Sequence, residues 1–212
     1  DDLISPFNGV ERDGIMRDTP LEKLARLKPA FDRENGTLTA ANSTTLTDGA
    51  AAVLLASEEW AAEQKLPVQA YLSFSEVAAV DFYSQGSDSE GLLMAPAYAV
   101  PRLLERAGIN LQDFDFYEIH EAFAAQTLCT IKAWEDPEFC KNKLGLDSPL
   151  GSIDRSKLNV NGSSVATGHP FAATGPRIVS TLAKLLEQKG QGRGLISICA
   201  AGGQGVTAIL ER

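Results

Sequence analysis

The sequence predicts an α/β fold in which a layered, mixed sheet of five strands carries helices on both faces. Short apolar segments typical of strands alternate with longer amphipathic segments typical of helices, which indicates a mostly parallel sheet. The last two strand segments are joined only by the glycine-rich Ala201–Gly205, so we expect at least one antiparallel pair. A chain of 212 residues is long enough to bury one good-sized core.

Short apolar runs bounded by turn residues mark the predicted strands. In chain order they are Ala50–Leu55, Gln69–Val77, Phe114–Ile119, Leu195–Cys199 and Val206–Leu210, with a further short strand at Leu158–Val160.

Apolar residues at three- and four-residue spacing mark the predicted helices. The first is a short helix within Asp18–Ala30 that begins at Pro20 and is stopped by Pro29. The others are Glu58–Lys65, Pro96–Ala107, Glu121–Trp134 and Pro176–Lys189. In the first helix Leu21, Leu24 and Leu27 share one face. We expect Ser57 to cap the second helix, and glycines 108 and 190 to end the third and the fifth.

Composition narrows the class of protein. The net charge is −9 and no block of basic residues is present, which argues against nucleic acid or a membrane surface as a partner. Apolar runs are short and broken, so none predicts a membrane span, and no signal peptide is visible. We therefore expect a cytoplasmic protein.

The three cysteines show no close pair and no metal-ligand spacing, which fits a reduced compartment. Cys129 lies on a helix face with Leu128 and Ile131, so we expect it in the core. Cys140 falls in the polar insertion Asp136–Ser156, where no role is expected for it.

Both histidines of the chain and the third cysteine stand at the ends of predicted elements. His120 follows a strand and precedes a helix, His169 precedes a helix, and Cys199 ends a strand. In open α/β sheets, ligands bind beyond the carboxyl ends of the strands, so a shared site there is one interpretation. A hydrogen-bonded loop histidine, a small core cysteine and a simple turn are the alternatives.

Two common classes of site lack their motif. The glycine-rich segments do not give the G-x-G-x-x-G or P-loop pattern after a strand, which argues against a nucleotide site. Ser163 and Ser164 lie in no G-x-S-x-G elbow, which argues against a serine hydrolase.

Four motifs together resemble thiolases, in the same order along the chain. GHPFAATG (168–175) resembles G-H-P-x-G-x-[ST]-G, and CAAGGQG (199–205) resembles C-x-G-G-G-x-G. HEAFA (120–124) resembles N-E-A-F-A, and residues 39–58 resemble T-A-G-N-A-S-G-x-N-D-G-A-A-A. His120 stands where many thiolases have Asn, and Ala172 and Ser163 where Gly is common. These variants resemble the thiolase subunits of trifunctional fatty-acid oxidation complexes, which implies medium or long 3-ketoacyl-CoA substrates.

The resemblance implies that residues 37–212 form the C-terminal half of a two-half enzyme and that residues 1–36 are the tail of its loop domain and a connector. Thiolases carry their nucleophilic cysteine in the first half, which this chain does not match. The resemblance therefore implies that the chain alone is inactive, and that the N-terminal half of the same enzyme is its partner.

Roles follow from the motifs in the same way. His169 would activate the nucleophile, Cys199 would shuttle the α-proton with a pKa lowered from about 8.5, and His120 would complete an oxyanion site. Thr44 would hold the pantetheine arm, and Ala122 and Phe123 would line its tunnel, although Phe123 fits a core position equally well. Glu121 is expected to cap the following helix rather than to act in chemistry.

Acyl-CoA and CoA are the implied ligands, with CoA as substrate and no metal or redox cofactor. The resemblance further implies a homodimer in the full protein, and a hydratase/dehydrogenase subunit as a further partner. Two other functions stay open: a thiolase-like module that binds acyl-CoA or lipid without chemistry, and a condensing enzyme of the ketosynthase kind. Retention of both His169 and Cys199 favours the thiolase over either alternative.

Overall fold

The computed structural model describes residues 5–15, 18–84 and 89–212, whose centre is a mixed sheet covered by helices on both faces. The elements, in chain order, are α1 (Leu21–Leu24), α2 (Glu58–Glu63), β1 (Tyr71–Ala79), α3 (Ala95–Ala107), β2 (Phe116–Ile119), α4 (Ala124–Glu135), α5 (Pro137–Asn142), α6 (Ser164–Thr167), α7 (Thr174–Lys189), β3 (Arg193–Ala200) and β4 (Gln204–Glu211). Two short 3₁₀ helices cover Arg155–Lys157 and Phe171–Ala173.

The strands lie in the order β1-β4-β3-β2. The pairs β1/β4 and β4/β3 are antiparallel, as the short link between the last two strands predicted. The pair β2/β3 is parallel, with Ile119 opposite Ser197, because α4 to α7 lie between these strands in the chain. The carboxyl ends of β2 and β3 therefore meet at one edge of the sheet.

Strand alternation divides the core into two layers. Leu195 and Ile209 pack with α3 and α4 on one face, whereas Ile196 and Leu210 pack with α7 on the other. Helix α7 buries Ile178, Leu182, Leu185 and Leu186, the face that its periodicity predicted. This confirms the α/β class and the helices on both faces.

The predicted caps are confirmed at three positions. The Ser57 hydroxyl accepts a hydrogen bond from the Trp60 backbone N–H at 3.2 Å. Gly108 and Gly190 end α3 and α7 in the left-handed conformation.

The described sheet has four strands rather than five. Ala50–Leu55 was predicted to be a buried strand, but it forms no secondary structure and Leu54 and Leu55 are about 70% exposed. A strand needs a neighbouring strand to pair its backbone N–H and C=O groups. Among the described residues, no strand lies beside this segment to offer that pairing. Leu158–Val160 contributes only a single bridge, from Leu158 to Tyr117.

The short helix predicted within Asp18–Ala30 is wrong in length, because only the one-turn α1 forms. Leu21 is 82% exposed, and so short a helix needs packing that this face does not find. The helix expected at Glu121 instead begins at Ala124, and the one expected at Pro176 begins at Thr174.

The core position expected for Cys129 was wrong. Cys129 is exposed, because α4 turns Thr130 and Ile131 inward instead. Cys140 is fully buried on α5, and its thiol lies 3.4 Å from the backbone oxygens of Ala133 and Trp134. The segment Asp136–Ser156 is thus partly helical and packed.

Within the parts of the chain that the structure describes, no helix combines the length and the apolar character needed to cross a bilayer.

We predict that Gly205→Ala destabilises the fold. An added Cβ would lie 2.6 Å from the Pro96 nitrogen and 2.8 Å from the Ala95 carbonyl carbon, both backbone atoms of α3. Overpacking of this kind costs roughly 1–3 kcal/mol. Urea unfolding should show this loss.

Gly175→Ala is the matched control, because an added Cβ there meets no atom of the described residues within 4 Å. Helix propensity predicts that this variant is as stable as the native chain or more stable, by up to about 1 kcal/mol. Equal midpoints for the native chain and Gly205→Ala would contradict the packing argument.

Candidate active site

Three chain segments converge beyond the carboxyl ends of β2 and β3. The parallel pairing places His120 directly after β2, where its backbone N–H donates to the Ser197 carbonyl oxygen at 2.9 Å. His120 and Cys199 line the same narrow pocket. The His120 ring also lies against the His169 ring in a tilted arrangement, with 4.5 Å between the ring centroids. The structure thus brings the three predicted residues together through His120.

A fourth segment, residues 42–46, is inserted between the two histidine loops. Its backbone bridges Ser43 to Phe123 on one side and Leu46 to His169 on the other. The backbone N–H of Thr44 donates to the Ala122 carbonyl oxygen at 3.0 Å, and that of His169 donates to the Thr45 carbonyl oxygen at 2.8 Å. These bonds hold the HEAFA and GHP loops at a fixed separation.

Gly168, the first residue of the GHP loop, lies too close to Thr47, just after segment 42–46, to carry a side chain. A Cβ on Gly168 would lie 2.5 Å from Cγ2 of Thr47, and the φ of Gly168 is +85°. Three residues later, Phe171 has a φ of +41°, which is uncommon for a bulky residue, and such strained conformations cluster at functional sites. The Phe171 ring lies edge-on to His169, with centroids 5.4 Å apart.

His120 is almost completely buried, at 2% exposure. Its Nδ1 lies 2.8 Å from the Ser164 hydroxyl oxygen. Burial, with smaller contributions from the nearby charges of His169 and Arg177, lowers the pKa of His120 to about 4. The ring is therefore neutral at pH 7.

His169 is only partly buried, and its Nδ1 lies 2.7 Å from the Thr174 hydroxyl oxygen at the start of α7. Desolvation lowers the pKa of His169, with a second contribution from the positive charge of Arg177. In both histidines Nδ1 is engaged by a hydroxyl, so Nε2 is the nitrogen left for a ligand.

Cys199 is 7% exposed, and burial raises the pKa of its thiol to about 11. Hydrogen bonds from the backbone N–H groups of Cys199 and Ala122 act in the opposite direction but are smaller. The expected lowering of this pKa was wrong, because desolvation of the thiolate outweighs the two backbone donors. The thiol therefore holds its proton at pH 7.

The three residues predicted to bind the substrate border the same loops. Thr44 donates its hydroxyl proton to the Ser164 carbonyl oxygen at 2.7 Å, so the oxygen keeps only its capacity to accept. Ala122 reaches both Thr44 and Cys199 through its backbone. Phe123 is half-buried and packs edge-on against Phe31, with ring centroids 6.2 Å apart.

Glu121 does not cap α4, contrary to the expectation. One carboxylate oxygen accepts from the Asn159 side-chain amide at 2.8 Å, and the other from the Val165 backbone N–H at 3.2 Å. The helix that it caps is α6, because Val165 lies in its first turn. Glu121 therefore fixes the position of the segment that leads to His169.

A cleft of about 750 Å³ opens next to segment 42–46. Polar groups from Ser43 and Thr45 face it, together with Arg12 and Asp18 from the N-terminal segment. A cleft of this size falls in the range that small-molecule ligands occupy.

Sequence reasoning missed three polar residues beneath the site. Arg177 donates to the Ser164 hydroxyl oxygen at 3.1 Å, and Glu118 is fully buried on β2. Burial raises the pKa of Glu118 to about 8, although the charge of Arg177 lowers it. Among the described residues, neither carboxyl oxygen of Glu118 has a hydrogen-bond partner. A carboxyl inside the apolar segment FDFYEI was the available signal for an unusual role.

Two family models match this chain. Residues 75–212 match the model "Thiolase, C-terminal domain", and residues 7–59 match "Thiolase, N-terminal domain". The 3-ketoacyl-CoA thiolase of Yersinia pestis (strain Pestoides F) is 46% identical over 202 residues, which are 95% of this chain and 45% of the relative. The chain thus spans about half the length of the curated relatives that it matches.

Solved structures agree with this comparison. The acetyl-CoA acetyltransferase of Bacillus anthracis superposes with a TM-score of 0.73 at 39% identity, over 92% of this chain and 43% of that protein. The dimeric peroxisomal thiolase of Saccharomyces cerevisiae gives a TM-score of 0.74 at 34% identity, over 96% and 45%. A thiolase from Ascaris suum, in complex with coenzyme A, gives 0.73 at 35% identity, over 92% and 44%. The predicted thiolase-like fold is confirmed.

We predict that His120→Asn weakens the loss of stability in acid. The folded pKa of about 4 lies below the ordinary value of 6.5, so the unfolded chain binds the proton first as the pH falls. As the pH falls from 6.5 to 4, protonation of this group in the unfolded chain therefore lowers the free energy of unfolding by on the order of 3 kcal/mol. Unfolding free energies measured at several pH values should show a smaller acid loss in the variant.

His169→Asn serves as the comparison, since its ring is less buried and the shift of its pKa is in the same direction. Native and His120→Asn stabilities that run parallel between pH 7 and 4 would contradict the burial argument.

Proposed function

Because the chain belongs to the thiolase family, we propose that the complete protein cleaves a 3-ketoacyl-CoA with CoA, or runs the reverse condensation. The products of cleavage are acetyl-CoA and a shortened acyl-CoA. This chain would supply Cys199, His169 and His120 to the reaction. The observation that supports the proposal best is that both imidazoles and the buried thiol converge at one edge of the sheet.

The first step of cleavage needs a nucleophile that this chain would receive from a complementary half. His169 takes the proton from that thiol, and the thiolate attacks the C3 carbonyl carbon. The C2–C3 bond then breaks and its electron pair stays with acetyl-CoA as an enolate. Cys199 gives its proton to C2, which completes acetyl-CoA and leaves a thiolate.

The second step restores the site. CoA gives its thiol proton to the Cys199 thiolate, and the CoA thiolate attacks the acyl-enzyme. The acyl group moves to CoA, and the departing enzyme thiolate recovers its proton from His169. All groups of this chain thereby return to their starting state.

The electrostatics of the site suit these roles. A Cys199 thiol with a pKa near 11 keeps its proton until a strong carbon base, such as a thioester enolate, is formed next to it. A His120 ring with a pKa near 4 stays neutral, so it donates a hydrogen bond to a developing oxyanion without bringing a full charge into the site. The lowered pKa of His169 keeps its ring neutral at the start of the reaction, so it is free to take the thiol proton.

We place the CoA arm in the 750 Å³ cleft, which borders the site through Ser43 and Thr45. Because the Thr44 proton is already donated to Ser164, Thr44 would accept a hydrogen bond from a pantetheine amide rather than donate one. Ala122 and Phe123 would form the wall between this arm and the thioester. The coenzyme A complex of the Ascaris suum relative supports the class of ligand.

We also propose that the complete protein is a homodimer, because the Saccharomyces cerevisiae relative is dimeric. The preference for medium or long acyl chains, the hydratase/dehydrogenase partner and the cytoplasmic location stay predictions.

We predict that Cys199→Ala and His169→Ala each lower thiolysis at least about a hundredfold, since each removes an acid/base group. The measurement is cleavage of 3-ketoacyl-CoA substrates of several lengths by the polypeptide of the complete reading frame. Cys129→Ala is the control, because this thiol is exposed and outside the site, and its rate should equal that of the native protein.

Native rates in either active-site variant would refute the assignment. Binding of acyl-CoA with no turnover by the native protein would instead favour the non-catalytic module.

The 212-residue chain, assayed alone, should show no thiolysis, because none of its three cysteines matches the nucleophile motif of the family. Addition of the complementary half should restore turnover if the two parts assemble. Turnover by the chain alone at the rate of the complete protein would disprove the division of labour between the halves.

A further inference from the structure

Two residues that the proposed reaction does not use directly form a chain of hydrogen bonds to His120. Arg177 donates from Nη2 to the Ser164 hydroxyl oxygen at 3.1 Å, and that oxygen lies 2.8 Å from Nδ1 of His120. Ser164 and His120 are almost completely buried, so water competes little for these bonds.

The direction of each bond follows from the chemistry of the groups. A guanidinium has only donors, so the Ser164 oxygen must accept from Arg177. The single hydroxyl proton of Ser164 then needs an acceptor, and among the described residues Nδ1 of His120 is the only acceptor within hydrogen-bond distance. An unprotonated Nδ1 gives the Ser164 hydroxyl both a donor and an acceptor, whereas a protonated Nδ1 would leave the buried hydroxyl proton without a partner.

Two acidic residues influence the charge of this guanidinium. Glu118 and Glu121 both favour the charged form of Arg177, against the cost of its burial. Glu121 also binds the backbone N–H of Val165, the residue after Ser164. Glu121 therefore acts on both partners: its charge favours the ionised form of Arg177, and its hydrogen bond holds the backbone next to Ser164.

We propose that Ser164 and Arg177 are positioning residues that hold His120 as the neutral tautomer with its proton on Nε2. The engaged nitrogen faces Ser164, so the ring presents a fixed N–H donor on its other nitrogen. The role of that donor toward a thioester oxygen rests on the proposed function, whereas the tautomer itself does not.

The consequence for catalysis is preorganisation. An imidazole that could exchange tautomers would offer a lone pair to the developing oxyanion part of the time, and that arrangement is repulsive. A fixed Nε2–H needs no rearrangement when negative charge forms. Ser164 and Arg177 would thereby act on turnover more than on substrate binding.

The direct test is the tautomer of His120 in the 212-residue chain labelled with ¹⁵N-histidine. The chain has only two histidines, so His120→Asn assigns the signals by difference. Long-range ¹H–¹⁵N correlation at pH 7.5 should show His120 with an unprotonated Nδ1 and a protonated Nε2. A protonated Nδ1 in the native chain would overturn the proposal without any variant.

Ser164→Ala should abolish the single-tautomer pattern, and Ser164→Thr, which keeps the hydroxyl, should retain it. Thr181→Val is the matched control, because Thr181 is buried one turn beyond Arg177 on α7 and its hydroxyl has no partner among the described residues. Circular dichroism would establish that each variant is folded. An unchanged His120 pattern in folded Ser164→Ala would also overturn the proposal.

Kinetics of the complete protein separate this inference from the proposed function. Ser164→Ala and Arg177→Gln should lower kcat about tenfold or more with a smaller change in KM, because the lost interaction is made in the transition state. An Nε2–H tautomer in a protein without thiolysis would leave the positioning role intact and refute the proposed function. Native thiolysis with an Nδ1–H tautomer would do the reverse.

Discussion

The site depends on the parallel pairing of β2 with β3. This ladder sets Ile119 opposite Ser197, and its last bond runs from the His120 backbone N–H to the Ser197 carbonyl oxygen. A change of one residue in the register would turn either His120 or Cys199 to the opposite face of the sheet. The packed layers on both faces oppose such a change, because Tyr117 and Ile196 are buried in different clusters. The register of two core strands therefore determines which groups can meet.

Burial then determines the chemical state of these groups. Desolvation is the largest cause of the shift at His120, His169 and Cys199, and in each case it favours the neutral form. A site of neutral donors has no charge to attract a cationic ligand, but it stabilises negative charge that appears during a reaction. The same burial would make an unpaired polar atom costly, and both Nδ1 atoms are accordingly engaged by hydroxyls.

Much of the fold could be predicted from sequence, as could the convergence of His120, His169 and Cys199 at one edge of the sheet. The endings of α3 and α7, the cap at Ser57 and the antiparallel close of the sheet all follow from local rules, because the interactions that set them are local. Segment Ala50–Leu55 could not be predicted, since an apolar run becomes a strand only where another strand offers it hydrogen bonds. The core position of Cys129 was wrong for a similar reason, because the rotation of α4 depends on distant contacts.

The shift of the Cys199 pKa and the roles of Ser164 and Arg177 also lay beyond the sequence. Residues 118 and 177 are 59 positions apart, and no local pattern relates a carboxyl on a strand to a guanidinium on a later helix. Arg177 follows Pro176 near the start of α7, where a cation is usually solvated. Only the fold shows that this helix end is buried against β2 and that its charge reaches His120.

The matched regions of the two family models meet within the site itself. Thr44 and its neighbours fall in the range 7–59, whereas both histidines and Cys199 fall in the range 75–212. Backbone bonds from Thr44 to Ala122 and from His169 to Thr45 join these ranges, so the short segment 42–46 is positioned by the C-terminal region. The exposed residues Ala50–Leu55 follow this segment closely in the chain and carry apolar side chains without a partner strand among the described residues. A complementary half that pairs with them would be tied, within ten residues, to the loops that hold both imidazoles. Under the proposed function, assembly of such a half would bring its nucleophile to the edge of the sheet where His120, His169 and Cys199 already meet.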